Sequence, residues 1–172
     1  MKFILYFLIV YYYINIINGS KASKIYEYAN DKIGCGYIWG GSGQILTEDN
    51  LKIFINKYPS FIKENKSKKW IGKQVFDCSG LVKSAFEQVN IYIYHSAKSA
   101  WENTQWQIKG KIENLPIDKV CILYKNGSKG MIHTGIYLGN GEVINAKSDY
   151  HGVVKEKLGT LWTHFGIPVG LY

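Results

Sequence analysis

The hydrophobic period of this chain changes once, and the change divides it. Apolar side chains between residues 23 and 103 recur at helical spacing, whereas from Val120 onward they alternate at strand spacing. Residues 23–33 place Ile25, Tyr26, Ala29 and Ile33 on one helical face, with Ser23 as the expected cap, and the pattern breaks at Gly34-Cys35-Gly36. Thr47-Glu48-Asp49 opens a second helix, since a hydroxyl cap and early carboxylates suit the positive end of the helix dipole. It runs to about Lys57, just before Tyr58-Pro59. Leu81, Val82, Ala85, Phe86 and Val89 outline a third helix and residues 97–103 a short fourth. Strands are expected at 120–124, 132–138, 142–146 and 153–157, with 166–171 closing the sheet. The outcome is an α+β domain, N-terminal helices packed on a central antiparallel sheet.

At 172 residues the chain supports one domain with its own core. An apolar fraction of 47% and a charged fraction of 20% exclude a disordered chain. Residues 1–22 stand apart. A basic start, an apolar run from Phe3 to Ile17 and the small residues Ser20 and Ala22 read as a secretory signal peptide, with cleavage expected after Ala22. The run is shorter than the roughly 20 apolar residues of a bilayer span. Secretion is therefore expected, with an uncleaved membrane anchor as the alternative. The formal net charge of +8 draws such a protein to anionic polymers such as cell walls. An export signal without a clustered Lys/Arg recognition motif argues against nucleic acid as the partner.

Three cysteines, Cys35, Cys78 and Cys121, form an odd set, so one thiol is free unless another molecule pairs with it. Cys35 and Cys121 are left as either a disulfide or two thiols. The histidines at 95, 133, 151 and 164 show no metal-ligand spacing, and neither a metal nor a cofactor is expected. Cys78 sits where a loop enters a helix. Unpaired N–H groups there stabilise a thiolate, which predicts a lowered thiol pKa, and they are placed to hold an oxyanion. Ser79 and Gly80 are small and let substrate approach the sulfur. A thiol nucleophile needs a base, and His133 opens a strand. Gly139-Asn140-Gly141 is a hairpin turn. With a three-residue loop, residues 138 and 142 flank it, and His133 and Asn145 fall on one face, about one diagonal step apart. A two-residue turn would put them on opposite faces. Asn145 is then the residue that orients the imidazole.

Tyr37-x-Trp39-Gly40-Gly41, Asp77-Cys78-Ser79-Gly80-Leu81-Val82 and the segment from His133 to Asn145-Ala146 resemble, in order, the three motifs of the NlpC/P60 cysteine peptidases. The resemblance covers residues 23–172 and implies a papain-like fold with the nucleophile at a helix N-terminus. It also implies hydrolysis of peptidoglycan stem peptides between D-glutamate, through its γ-carboxyl, and a diamino acid. By motif matching Cys78 is the nucleophile, His133 the base and Asn145 the third polar residue. Tyr37 lies beside the thiol in the family, to position substrate or the oxyanion. Asp77 and Ser79 match residues that, in some members, help hold the free amino end of the stem peptide. A core role for Tyr37 and a capping role for Asp77 are the alternatives. Residues 44–75 exceed the usual link between the first two motifs, which predicts a helical insertion near the cleft. The expected partner is peptidoglycan or a muropeptide. Another amidase or acyl-transfer activity on the same fold, or a catalytically silent wall-binding module, are the competing functions.

Overall fold

The structure, a computed structural model, describes residues 19–172, so the expected leader lies outside it apart from its last four residues. The first helix, α1 (Lys21–Asp31), begins earlier than its sequence suggests. Ser20 is the cap and accepts a hydrogen bond from the Ser23 N–H at 3.0 Å. Ser23 instead lies inside the first turn and turns its hydroxyl to Glu27. A cut after Ala22 would remove that cap, and with it on the order of 1 kcal/mol of helix stability.

Next come β1 (Gly36–Tyr37), β2 (Ser42–Ile45) and α2 (Glu48–Lys57). The start of α2 is a capping box in which Thr47 and Asn50 satisfy each other's backbone N–H. A single turn, α3 (Glu64–Ser67), continues as a 3-10 turn over Lys68–Trp70 and leads to β3 (Gln74–Phe76). The lysine-rich stretch is thus partly helical, tied down by Lys68 to Glu64 at 2.9 Å and Lys66 to Asp149 at 3.6 Å. β3 pairs in parallel with β1 and antiparallel with β2. No strand of this small sheet was expected, because two to four residues are too few for a period to show.

Residues 44–75 carry a core of their own, in which Leu46, Leu51, Ile62, Trp70 and Val75 cluster around Ile38. The Trp70 indole N–H then donates to the Asp149 carbonyl at 2.8 Å and clamps this unit to the main domain.

The helices α4 (Cys78–Glu87) and α5 (Ala97–Asn103) precede the main sheet. Its strands are β4 (Trp106–Lys111), β5 (Val120–Gly127), β6 (Gly130–Leu138), β7 (Glu142–Ser148), β8 (Gly152–Lys157) and β9 (His164–Pro168). They lie in the order β4-β9-β5-β6-β7-β8, and every pairing is antiparallel. β4 was not expected; it is an edge strand with mostly solvent-facing residues, so burial leaves little alternation in it. Leu81, Val82, Ala85 and Phe86 of α4 share one core with Ile122, Ile136 and Ile144 of the sheet. Burying each such side chain contributes roughly 1.5–3 kcal/mol, which fixes the start of α4 over the sheet.

Candidate active site

Asp77 ends β3's extended backbone and caps α4, its carboxylate accepting from the Gly80 N–H at 2.7 Å. This puts Cys78 at the first helical position, as its sequence context predicts. The backbone N–H groups of Thr134, Ser79 and Cys78 itself favour the thiolate form of the sulfur. Thr134 follows His133 directly on β6, the strand that carries the expected base and against which α4 packs.

The thiol is nevertheless the reverse of what a helix terminus alone predicts. Cys78 is 8% exposed. Burial, reinforced by the Asp77 charge, pushes its pKa up to about 12 against those three N–H groups. The helix end is worth only about 0.3–1 kcal/mol at an ordinary terminus, too little to win. A neutral thiol needs a base beside it.

His133 follows a bulge. Lys125 pairs with His133 while Asn126 pairs with Met131, so Ile132 is the extra residue. Across the Gly139-Asn140-Gly141 turn, Ile136 pairs with Ile144 and Tyr137 with Val143. This is the three-residue register, with Gly139 and Gly141 at φ of 78° and 83°. It brings the His133 Nε2 to 3.0 Å from the Asn145 Oδ1.

The direction of that bond follows from its neighbours. The Asn145 amide NH2 donates to a Glu156 carboxylate oxygen at 3.2 Å, and a carboxylate only accepts, so Oδ1 must face the histidine. The histidine therefore donates from Nε2, leaving the Nδ1 lone pair free to take a proton. Lys147 holds Glu156 from the other side at 2.6 Å. Trp162 stacks on the imidazole with centroids 5.4 Å apart and is itself 3% exposed. A side chain at Gly135 would meet both Trp162 and Asn145, so this shielded arrangement requires glycine there. Burial pushes the His133 pKa below the ordinary histidine value, only partly offset by the Asn145 bond, which favours the neutral ring.

Tyr37 is half-buried, and burial, with the nearby Asp77 charge, raises its phenol pKa, so its O–H stays protonated. Ser79 donates its hydroxyl to Asp77 at 2.9 Å. A cavity of about 410 Å³ opens over Cys78, within the range of small-ligand sites. Trp39 and Tyr58 stand on one side of it, Met131 and Ile132 on the sheet side, and Asp77, Ser79 and His95 among its polar residues. Tyr58 belongs to residues 44–75, so that segment supplies part of the cleft wall. Its ring packs so close to Gly40 that no Cβ fits there.

The sequence singled out neither His95, Glu156 and Trp162 nor Tyr58. Only Gly135, two residues after His133, offered a hint of the close packing around Trp162. All three cysteines are free thiols; Cys35 and Cys121 do not pair.

The NlpC/P60 family model matches residues 34–165. The chain is similar to a probable endopeptidase p60 of Listeria grayi, 33% identical over 78 residues, which are 45% of this chain and 14% of that protein. It is also similar to a gamma-DL-glutamyl hydrolase of Bacillus subtilis, 36% identical over 74 residues, 41% of this chain and 17% of that protein. The chain thus spans less than one-fifth of either relative. The peptidoglycan hydrolase RipB of Mycobacterium tuberculosis shares its fold, with a TM-score of 0.58 at 22% identity over 87% of this chain and 64% of that one. With the motifs in register and this match across most of the domain, the chain belongs to the NlpC/P60 family, whose members are cysteine peptidases.

Proposed function

We propose that the protein is a secreted endopeptidase that hydrolyses peptidoglycan stem peptides at the γ-D-glutamyl–diamino acid bond. The observation that carries this reading is the chain of hydrogen bonds from Glu156 through Asn145 to His133. It leaves the His133 Nδ1 free to take a proton on β6, next in sequence to Thr134, whose backbone N–H favours the Cys78 thiolate, and α4 packs against that strand.

His133 Nδ1 takes the Cys78 proton as the sulfur attacks the γ-carbonyl carbon, and the carbonyl electron pair moves to oxygen. The Cys78 N–H, with the Tyr37 O–H as second donor, stabilises that oxyanion. The imidazolium returns its proton to the leaving amine, giving a thioester. A water deprotonated by His133 then hydrolyses the thioester and regenerates the thiol. Asn145 holds the ring in its tautomer throughout, and Trp162 keeps water from the Asn145 bond. The export reading rests on the leader in residues 1–22.

A second substrate is favoured by the similarity to the gamma-DL-glutamyl hydrolase and by the +8 net charge: a polyanionic γ-linked glutamyl polymer, attacked by the same chemistry. Digestion of purified cell walls, defined stem peptides and γ-linked polyglutamate, with new ends identified by mass spectrometry, separates the two. Free γ-D-glutamyl carboxyl groups and diamino acid amines from walls are expected. Products from polyglutamate alone would support the second substrate, and none from any of the three would reject the hydrolase.

A further inference from the structure

The cleft does not end at Cys78. Ile132, the extra residue of the β6 bulge, is 52% exposed and lines two cavities at once. The first is the one over Cys78. The second, of about 350 Å³, runs along His133 and is walled by Lys125, Lys147 and Leu161.

The sheet register brings these side chains together. Lys125 on β5 pairs directly with His133 on β6, and a directly opposed pair shares one face of the sheet. Lys147 lies two residues beyond Asn145 on β7, so alternation returns it to the face of the Asn145–His133 bond. The two lysines thus flank the imidazole from the strands on either side of it. Glu156 takes one of the three Lys147 N–H donors at 2.6 Å. Lys125 makes no ion pair among the described residues. Its charge reaches His133, where it adds to the lowering of the imidazole pKa. Among the described residues, the first cavity is lined by the Asp77 carboxylate and no lysine, the second by two lysines and no carboxylate. The cleft is therefore polarised along its length.

The reaction proposed above dictates what enters the second cavity. The acyl part of the substrate stays on the sulfur, whereas the leaving amine takes its proton from His133 Nδ1 and must lie within hydrogen-bond reach of it. The departing residue is thus held against the imidazole, where the second cavity begins.

We propose that Lys125 and Lys147 form a carboxylate-binding subsite for the leaving residue, which makes a free carboxylate on that residue a specificity determinant of the enzyme. Two ammonium groups offer charge-assisted donors to the two carboxylate oxygens. Ile132 and Leu161 give the methylene chain of a diamino acid an apolar wall. The subsite serves either proposed substrate, because a diamino acid at the end of a stem and a glutamate of a γ-linked polymer both leave with an α-carboxylate. Diaminopimelate carries a second carboxylate at the far end of its chain.

The inference rests on the hydrolase reading above, so binding is measured apart from turnover. Three peptides serve as probes: L-Ala-γ-D-Glu-L-Lys, its C-terminal amide, and L-Ala-γ-D-Glu-meso-diaminopimelate amidated at the α-carboxyl, whose leaving residue keeps only the far carboxylate. In calorimetry on the chain carrying Cys78→Ala, a peptide whose leaving residue bears the recognised carboxylate should bind about 10- to 100-fold more tightly than the amide, the worth of one charged hydrogen bond. Whichever of the two carboxylate peptides shows the gain identifies the group. Lys147 is left alone, since its partner Glu156 also holds Asn145. Adding Lys125→Met, which keeps the chain length and loses the charge, should cut the preference to within about threefold, and Lys125→Arg should keep most of it. Lys24→Met, which removes the same charge from the exposed side of α1, should leave the preference intact. With Cys78 present, kcat/KM should show the same preference and the same loss in Lys125→Met; comparing peptides within one variant cancels any change at His133.

Equal binding of all three peptides, or a preference that survives Lys125→Met or is lost equally in Lys24→Met, would overturn the inference while leaving stem-peptide cleavage standing. A preference that depends on Lys125, in a protein that hydrolyses none of the peptides, would do the reverse.

Discussion

The two halves of the candidate active site are built in different ways. The Cys78 half comes mainly from four consecutive residues, Asp77-Cys78-Ser79-Gly80, where one carboxylate ends a strand, caps a helix and orients a serine. The His133 half is assembled from three adjacent strands and a tryptophan just before β9: His133 on β6, Asn145 on β7, Glu156 and its neighbours on β8, with Trp162 stacked over the ring. Their electrostatics differ accordingly. On one side burial and a neighbouring carboxylate raise a thiol; on the other burial lowers an imidazole. Both shifts favour the neutral form, thiol on one side and imidazole on the other. On the proposed mechanism, local sequence places the nucleophile and tertiary register supplies its base.

If that division is right, substitutions in the two halves should fail in distinguishable ways. The largest effect is expected for Cys78→Ala, which removes the attacking atom. Stem-peptide hydrolysis should fall by about 10⁴-fold or more, with an unchanged circular dichroism spectrum. Asn145→Ala leaves both reacting atoms in place but frees the ring to choose its tautomer. It should lower kcat about 100-fold with little change in KM, and an equal loss in thermal stability and activity would instead make Asn145 a packing residue. Below the ordinary histidine value of about 6.5 the pH profile should sharpen the comparison. Because His133 is shifted down, kcat/KM should stay flat through pH 6.5 and fall about tenfold per unit only below its lowered pKa. An acid limb already evident above pH 6.5 would contradict the buried neutral base. The smallest effect belongs outside both halves. Thr47→Ala breaks the capping box of α2 and should cost about 1 kcal/mol in denaturant unfolding, with kcat unchanged.

The same contrast explains what could be read in the chain before its fold. The cap, the nucleophile and the helix that follows lie within a dozen residues, and α2, α5 and the turn at Gly139-Asn140-Gly141 are equally local, so residue type and period announce them. The placing of His133 and Asn145 on one face followed from a single count of loop residues, and the observed register agrees. Two- to four-residue strands such as β1 and β3 carry no period, and the edge strand β4 is too exposed to show one. His95 and Trp162 matter only through contacts 18 and 29 positions away, which spacing does not encode. The thiol pKa was misread for a related reason. A helix terminus is visible in sequence, whereas the depth of burial that overrides it is not.

The central claim is that the sulfur of Cys78 becomes nucleophilic only through the imidazole of His133. The direct measurement is the rate at pH 7 at which an electrophilic γ-D-glutamyl peptide alkylates Cys78, located by peptide mass, in the parent protein and in His133→Ala. A thiol held at about 12 and deprived of its base should react at least about 100-fold more slowly in the variant. Equal rates in two folded proteins would show that sulfur and imidazole do not act together, and the account would fail.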